Sequence, residues 1–406
     1  MDEGHLWDAL VVGCGPAGSV VGRELARRGF DVLMLEEHHE VGRPVQCAGL
    51  VTRRVFDIVP AEGAVLNSLC SAELIAPGGG TISFGGHGER AVVIDRAEFD
   101  RTAAEQAVDA GCRLALGARV TGVRMTSREA DGSCGAVEIS VAGSCGLDRA
   151  RGRLLIGADG VQSIVARLRG VRPPPEILPG FEAELTGVRG PADTVRILVG
   201  RDLAPGFFAW LIPSGEGHAL LGLCCQPGEG SARGHFARLL KARALAPYVS
   251  GAQLTRYFAG GVPVSLSSAS FAERTLLVGD AAGQVKPISG GGIFTGARCA
   301  MLAAEVAATA LENEDLSRDG LSGYEKRWKN AIGRELSVGR RIRRGYVHVT
   351  DGQMDELVRM LDRPKLLALI SARGDIDAPS ELAKLLFRQA PGLLKFAGPF
   401  IKSLFK

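Results

Sequence analysis

The residues best suited to chemistry stand near the start of the chain, in a glycine-rich turn at residues 13–18. Gly13 permits a tight turn, Gly15 lets the backbone approach a pyrophosphate, and Gly18 allows a helix to pack closely on a strand. Glu36 ends the next apolar run, where its carboxylate can accept hydrogen bonds from a ribose diol. The pattern predicts a dinucleotide site with phosphate at a helix N-terminus, and it leaves open whether the nucleotide is FAD or NAD.

Two later turns each place an aspartate directly after an apolar strand, at residues 157–161 and 278–283. Either turn alone is typical of an ordinary loop or helix cap. In this order, after the glycine turn, they resemble the FAD-binding fold of the flavin hydroxylases. The resemblance implies that Asp280 holds the ribityl chain of FAD. It also implies that a helix beginning within residues 289–293 directs its N-terminus at the flavin.

The elements that must position these residues form an α/β fold. Apolar runs predict parallel strands, and a helical pattern separates the first two, with the strands at residues 8–13, 30–36, 154–156 and 276–279 and the helix at 16–28. Between 177 and 264 the pattern is rich in strands and turns, which predicts an inserted antiparallel β-sheet. Beyond residue 316 the chain is predicted to be helical and basic.

These elements predict a Rossmann-like FAD-binding domain of the flavin hydroxylase (glutathione-reductase-type) fold, with an inserted substrate domain and a helical C-terminal region. The FAD-binding domain is expected to be discontinuous, because the nucleotide pattern stops and resumes along the chain. The expected ranges are 1–75, 95–172 and 270–315 for FAD binding, 76–94 and 173–269 for the substrate, and 316–406 for the helical region.

Three segments carry a resemblance to a known enzyme family, at residues 42–50, 95–101 and 279–293. They are similar to segments of the geranylgeranyl reductases, and most similar to the archaeal digeranylgeranylglycerophospholipid reductases. The resemblance extends from the start of the chain to about residue 310. It includes a Pro-x-x-Tyr-x-Trp-x-Phe-Pro motif, in which this chain has Phe208 for the tyrosine and Ile212 for the phenylalanine.

Carried over position by position, the resemblance implies a set of contacts to FAD. Those on the ADP half are Gly13, Gly15, Ala17, Gly18 and Glu36, with Arg101 on the diphosphate and the main chain of Val120 near the adenine. Those near the flavin are Cys47 and Ala48 beside the ring, and Asp280, Gly292 and Ile293 at the ribityl chain and ring.

The activity implied by the resemblance is reduction of isolated C=C bonds in geranylgeranyl chains. Because no carbonyl polarises such a bond, we expect hydride from reduced FAD to reach one carbon and a proton to reach the other. Cys47 is the candidate proton donor or substrate-positioning group, although a buried cysteine more often serves packing. Aromatic rings in an apolar cavity would ease cationic character at the substituted carbon. The expected cavity wall is Phe207, Phe208, Trp210 and Ile212.

The resemblance also implies the partners. A polyprenyl lipid is the expected substrate, and without a second glycine-rich nucleotide motif the electron donor is expected to be ferredoxin or a soluble reduced carrier. Residues 382–406 contain basic residues and no acid, with apolar residues sharing one helical face. This pattern predicts peripheral contact with the inner face of the cell membrane, while a docked tail or an oligomer contact is the alternative.

Composition excludes several other classes of protein. With 406 residues, a net charge of +3 and 23% charged residues, the chain lacks the basic profile of a nucleic-acid binder. The nine cysteines show no Cys-x-x-Cys spacing, which argues against a metal site. No uncharged apolar run reaches the roughly 18–20 residues of a membrane-spanning helix, and the N-terminus does not resemble a signal peptide. A cytoplasmic location is therefore expected.

Three alternative functions stay open. An FAD-dependent monooxygenase of an apolar substrate shares the same cofactor motifs, and residues 210–213 are similar to part of a halogenase motif. Halogenases also need a lysine before that motif, whereas the first lysine of this chain is Lys241. A chlorophyll-type geranylgeranyl reductase would share the chemistry on another head group. A quinone-linked electron-transfer flavoprotein often requires an iron-sulfur partner, and the sequence has no cysteine cluster.

Overall fold

Strands and helices alternate in the first half of the chain, and helices follow in the last quarter. The structure, a computed structural model, describes residues 4–86, 88–126 and 135–395. The strands are β1 (Leu6–Val12), β2 (Val32–Glu36), β3 (Leu50–Val51), β4 (Val65–Leu69), β5 (Ser71–Ile75), β6 (Thr81–Gly85), β7 (Ala91–Ile94), β8 (Arg113–Leu116), β9 (Ala118–Met125), β10 (Val137–Gly143), β11 (Arg149–Gly157), β12 (Ile177–Thr186), β13 (Thr194–Val199), β14 (Phe208–Gly215), β15 (His218–Cys224), β16 (Gln253–Pro263), β17 (Phe271–Ala272) and β18 (Thr275–Leu277). The helices are α1 (Pro16–Ala26), α2 (Arg96–Asp109), α3 (Ile164–Leu168), α4 (Ala232–Leu239), α5 (Ala246–Val249), α6 (Ile293–Glu312), α7 (Arg318–Trp328), α8 (Arg334–Tyr346), α9 (Asp351–Leu361), α10 (Pro364–Arg373) and α11 (Pro379–Gln389).

The first sheet has a parallel core in the order β8-β2-β1-β11-β18. All five residues of β2 are buried, as is usual where helices or strands cover both faces of a parallel sheet. One face packs against α1, α2 and α6, and the other packs against α3 and the antiparallel strands β9 and β10. This arrangement brings the carboxyl ends of β1, β11 and β18 to one edge, where open α/β sheets bind ligands.

The second sheet has the order β16-β12-β15-β14-β13-β5-β6 and is antiparallel except where β5 pairs with β13. One face is covered by α4 and α5. The opposite face packs towards the loop at residues 42–50. A third, small sheet has the order β3-β7-β4. The proposed division into domains places residues 76–94 with the substrate sheet. In the structure β5 and β6 pair in the second sheet, and β7 pairs in the small one.

The C-terminal helices pack on both of the large sheets. On α8, Arg343 donates hydrogen bonds to the Glu176 carboxylate at 2.6 Å and to the Gly206 carbonyl at 2.7 Å. The Tyr346 hydroxyl donates to the carbonyl of Phe207 at 2.6 Å. Farther along, α9 and α10 pack against β6. The helical region therefore holds the loop that leads into β14.

One helix in the described part of the chain, α6, is long and apolar enough to cross a membrane by length and composition. It packs against α1 and α7, and 61% of its apolar window is buried inside the fold. Burial of this kind is typical of a core helix, and alanines along α6 let α1 approach closely.

Candidate functional site

The turn between β1 and α1 is shaped by glycines, two of which no other residue could replace without a backbone shift. Gly13 has a φ of +93°, and a Cβ placed on it would lie 2.5 Å from the carbonyl oxygen of Ala158. A Cβ on Gly18 would lie 1.9 Å from the Gly13 carbonyl oxygen. Gly15 caps α1 without a side-chain hydrogen bond, and a Cβ there would meet nothing within 4 Å. The first N–H groups of α1 are thus free of side-chain caps and open to a ligand.

Glu36 ends β2 with its carboxylate beside this turn. The backbone N–H of Cys14 donates to Glu36 Oε2 at 3.0 Å, and the N–H of His38 donates to Oε1 at 3.1 Å. The acid is therefore anchored by the backbone at the end of the strand, in the position that a ribose-binding carboxylate needs. Ala17, at the start of α1, lies against Gly279, because a Cβ on Gly279 would be 3.1 Å from the Ala17 Cβ.

Asp280 follows β18 and lies beside the N-terminus of α6. A Cβ on Gly292, the N-cap residue, would lie 2.9 Å from Asp280 Oδ1, so the carboxylate needs a glycine there. Ile293 is the first residue of α6, which has no side-chain cap. Burial raises the pKa of the Asp280 carboxyl to about 6, against the opposing charge of Arg96. The equivalent aspartate after β11, Asp159, instead caps α3 through Ser163 and Val165.

The loop at residues 42–50 brings Cys47 towards the same place. The Cys47 sulfur accepts a hydrogen bond from the Gly49 N–H at 3.4 Å and interacts electrostatically with the guanidinium of Arg96. Arg96 also forms a bidentate pair with Asp100, with the closest oxygen at 2.9 Å. Although burial disfavours its charge, Asp100 and Cys47 raise the pKa of Arg96 above its ordinary value.

Arg96 is the member of this cluster that the sequence reasoning missed. It begins α2, directly after Asp95, which caps that helix through the N–H groups of Ala97 and Glu98. A usable signal was present, because Asp-Arg occurs twice in residues 95–101, and an aspartate is a preferred N-cap residue for a helix. The resemblance instead implies a contact to FAD for Arg101, the arginine of the second pair.

Arg101 and Val120 are the other two residues that the resemblance places at FAD. The Arg101 side chain is 45% exposed on α2, where it pairs with Glu98 and lies 3.9 Å from Glu40. Val120 is buried in β9 opposite Val141. The diphosphate contact of Arg101 and the adenine contact of Val120 therefore stay predictions.

The predicted wall residues Phe208, Trp210 and Ile212 share one face of β14. Ile212 and Trp210 pack in a cluster that includes Ala48. Phe207 precedes the strand and stacks on Phe208 with ring centroids 4.3 Å apart. The Phe207 ring also approaches the turn before α6, since a Cβ on Gly290 would lie 3.5 Å from its Cζ.

The described structure thus brings the wall, the Cys47 loop and the start of α6 into one region. Within the described residues, no group of three His, Cys, Asp or Glu side chains is placed to hold a metal ion.

Comparison with known proteins places this geometry in a class. Residues 7–216 match the family described as FAD binding domain. The chain is therefore an FAD-dependent flavoprotein oxidoreductase. Digeranylgeranylglycerophospholipid reductase 2 of Methanopyrus kandleri is 31% identical over 98% of this chain and 100% of its own length. The chain belongs to the digeranylgeranylglycerophospholipid reductase family, which confirms the resemblance found in the sequence.

Solved structures confirm the fold. A geranylgeranyl bacteriochlorophyll reductase-like protein from Thermoplasma acidophilum superposes with a TM-score of 0.84 at 24% identity, over 98% of each chain. A mutant of the halogenase PltM in complex with FAD superposes with a TM-score of 0.69 at 15% identity, over 98% of this chain and 94% of that chain. The predicted α/β FAD-binding fold with an inserted sheet and a helical C-terminal region is confirmed, as is FAD as the cofactor.

Proposed function

We propose that this protein saturates the C=C bonds of geranylgeranyl chains on archaeal-type digeranylgeranylglycerol phospholipids. One observation carries the proposal: an apolar sheet face bearing Phe208, Trp210 and Ile212 lies against the Cys47 loop and the turn before α6. A long hydrocarbon chain fits the apolar side chains of Phe208 and Ile212, because burying apolar surface against apolar surface is favourable. The names of the relatives, including the Methanopyrus protein, support the same substrate.

The residues present fit FAD. Gly13 and Gly18 leave no room for a Cβ, whereas Gly15 opens the start of α1 to a pyrophosphate. Glu36 is placed for the ribose, and Asp280 with the uncapped start of α6 is placed for the ribityl chain and the ring. We propose these residues as the FAD site, with Ala17, Ala48, Gly292 and Ile293 contributing backbone and packing contacts.

When bound and reduced, FAD supplies a hydride to an alkene carbon. The chain's own residues then have three tasks: to exclude water, to hold the alkene in reach and to deliver a proton. The aromatic rings of Phe208 and Trp210 can stabilise positive charge that develops at the substituted carbon. Cys47, held by the Gly49 N–H, is proposed as a proton donor or substrate-positioning group beside the ring.

Replacing Cys47 by alanine or serine should reduce alkene turnover about 100-fold or more while FAD stays bound, because a positioned proton donor contributes at least on this scale. The rate of lipid reduction and the flavin absorption of the purified protein measure the two effects separately. Cys70→Ala is the matched control, since Cys70 is likewise a half-buried cysteine and lies between β4 and β5. Unchanged turnover of the Cys47 variants would remove this residue from the mechanism.

The function itself is tested by supplying dithionite-reduced protein with a geranylgeranyl lipid without oxygen. Saturated product, detected by mass spectrometry, supports a reductase. Consumption of substrate only with oxygen and a reductant would support the monooxygenase instead, and that outcome would overturn the proposal. Lipids with glycerophosphate and tetrapyrrole head groups, compared side by side, test the head group.

The electron donor and the membrane contact are further proposals. We propose ferredoxin or a soluble reduced carrier as the donor, and peripheral contact at the inner face of the cell membrane through the basic C-terminal segment. Residues 396–406 of that segment lie outside the described residues. Liposome pelleting of the full chain and of a chain ending at residue 395 tests the contact, and equal binding by both would refute it.

A further inference from the structure

A buried carboxylic acid lies on the wall of the proposed substrate site. Glu182 is the sixth residue of β12, opposite Gly222 of β15 and Phe258 of β16. Trp210 of β14 is also opposite Gly222, so Glu182 and Trp210 face the same side of the sheet. The indole N–H of Trp210 donates to Glu182 Oε2 at 2.7 Å. The acid therefore shares the face of the predicted wall residues.

The second oxygen of this acid has no partner. Glu182 is 5% exposed, and its Oε1 forms no hydrogen bond with any described residue. A buried, unsatisfied carboxylate is costly, so the neutral acid is favoured. Burial raises the pKa of Glu182 to about 7; the Trp210 hydrogen bond opposes this shift and the charge of Glu184 adds to it. The neutral form carries a proton that no acceptor among the described residues takes up.

Glycines on the same face let neighbouring side chains lie close to this acid. A Cβ on Gly222 would lie 2.6 Å from the Trp210 ring, so glycine is required for the indole to lie over β15. Gly180 and Gly260 are opposite each other on β12 and β16, next to Glu182 along the face. A Cβ on Gly260 would lie 3.5 Å from the Cβ of Gln46 in the Cys47 loop. Gly180 and Gly260 thus extend along this face from Glu182 towards the Cys47 loop.

We propose that Glu182 is the proton donor of the alkene reduction. This inference rests on the proposed function. The alkene gains a hydride, with its two electrons, from the reduced flavin at one carbon. The other carbon forms a new C–H bond with the proton of Glu182 Oε1, and the O–H bond breaks. Solvent returns a proton to the carboxylate after each turnover, and Cys47 retains the positioning role.

The charged and titratable groups around Glu182 are few among the described residues. Glu184 is on the same strand, and Cys224 on β15 interacts electrostatically with Glu182, with Cys47 of the loop and with Arg343 of α8. Burial raises the pKa of Cys224 far above the neutral range, so its thiol does not titrate near pH 7. On β16 the directly opposite residue is the uncharged Phe258. Glu182, whose pKa is raised to about 7, is thus expected to titrate near neutral pH.

Glu182→Gln tests the role, because glutamine can still accept the Trp210 hydrogen bond but carries no acidic proton. Alkene reduction should fall about 100-fold or more, while the flavin absorption spectrum stays that of the wild type. In the wild type the rate should fall as pH rises above about 7, since the acid loses its proton. The matched control is Glu184→Gln, on the same face but 37% exposed and paired with Arg256; it should keep the wild-type rate.

A second readout does not depend on turnover. Infrared spectra of the flavin-loaded wild type should show a protonated-carboxyl band that titrates near pH 7 and is missing from Glu182→Gln. Equal lipid reduction by wild type and Glu182→Gln, or lack of this band, would overturn the role of Glu182 alone. Wild-type protein that oxidises reduced flavin only with oxygen, leaving the lipid unsaturated, would overturn the proposed function and the role together.

Discussion

Gly18→Ala should yield protein that folds but carries almost no FAD. The added Cβ would lie 1.9 Å from the backbone carbonyl oxygen of Gly13, a contact that only movement of the turn can relieve. Movement of that turn displaces the N–H groups proposed to face the pyrophosphate. A loss of at least tenfold in FAD affinity, or about 1.4 kcal/mol, is expected for each such group that loses its alignment. Reconstitution of apoprotein with FAD, followed by flavin fluorescence, measures the affinity.

Gly22→Ala is the matched control for this variant. Gly22 lies on the same helix, one turn farther along, and its Cβ would meet the flexible side chain of Met34 at 2.7 Å rather than backbone. We expect Gly22→Ala to change thermal stability modestly and to retain full FAD content. Full FAD content in Gly18→Ala would contradict the proposed role of the glycine turn.

Asp377→Ala should destabilise the protein by about 3–5 kcal/mol, because it leaves a buried lysine without its counter-ion. Lys286 Nζ donates to Asp377 Oδ1 at 2.6 Å and to the carbonyl of Ile376 at 3.1 Å. Thr52 donates to the other carboxylate oxygen at 2.5 Å. Both charged side chains are nearly enclosed, with 10% and 4% exposure. Chemical denaturation of the flavin-loaded protein gives the change in unfolding free energy.

Two comparison variants separate this pair from a general effect of charge removal. Glu305→Ala breaks an exposed pair with Arg327 at 2.9 Å and should cost less than about 1 kcal/mol. The double variant Lys286→Met/Asp377→Leu removes both charges and should regain most of the stability that Asp377→Ala loses. A cost for Asp377→Ala no larger than that for Glu305→Ala would show that the buried pair does not hold the helical region.

The bounds of β1, α1 and β2 could be predicted to within two residues. The strand, helix and strand predicted at 8–13, 16–28 and 30–36 are Leu6–Val12, Pro16–Ala26 and Val32–Glu36. The prediction succeeds because the glycine turn separates β1 from α1. The spacing of apolar residues then changes between the strand period and the helix period at the other boundaries. The helix predicted to begin within residues 289–293 likewise begins at Ile293.

Pairings between distant segments could not be predicted in this way. The parallel pairing of β5 with β13 joins residues more than a hundred positions apart, and local periodicity carries no information about such partners. The Lys286–Asp377 pair likewise joins a loop near the proposed flavin site to the C-terminal helices. In the sequence, a lone lysine in a glycine-rich loop is typical of an exposed charge.

The burial of Glu182 could not be predicted from the sequence. Glu182 and Glu184 alternate with Ala183 and Leu185, a pattern typical of a strand with one face in solvent. The apolar face is indeed covered by α4 and α5, as the pattern predicts. The side of β12 that bears the two glutamates is covered as well at Glu182, because the Cys47 loop and the Trp210 ring lie over it. Only the tertiary packing turns a surface-like glutamate into a buried acid.

The distribution of the proposed FAD site along the chain has a consequence for synthesis on the ribosome. Gly13, Gly18 and Glu36 emerge first, whereas Asp280 and Gly292 emerge only after every strand of the second sheet. Domains generally fold as they are made, from the N-terminus onward. The nascent chain therefore has an adenine-nucleotide half-site long before it has a flavin half-site. Capture of the whole cofactor must wait until β18 inserts beside β11 and closes the parallel sheet.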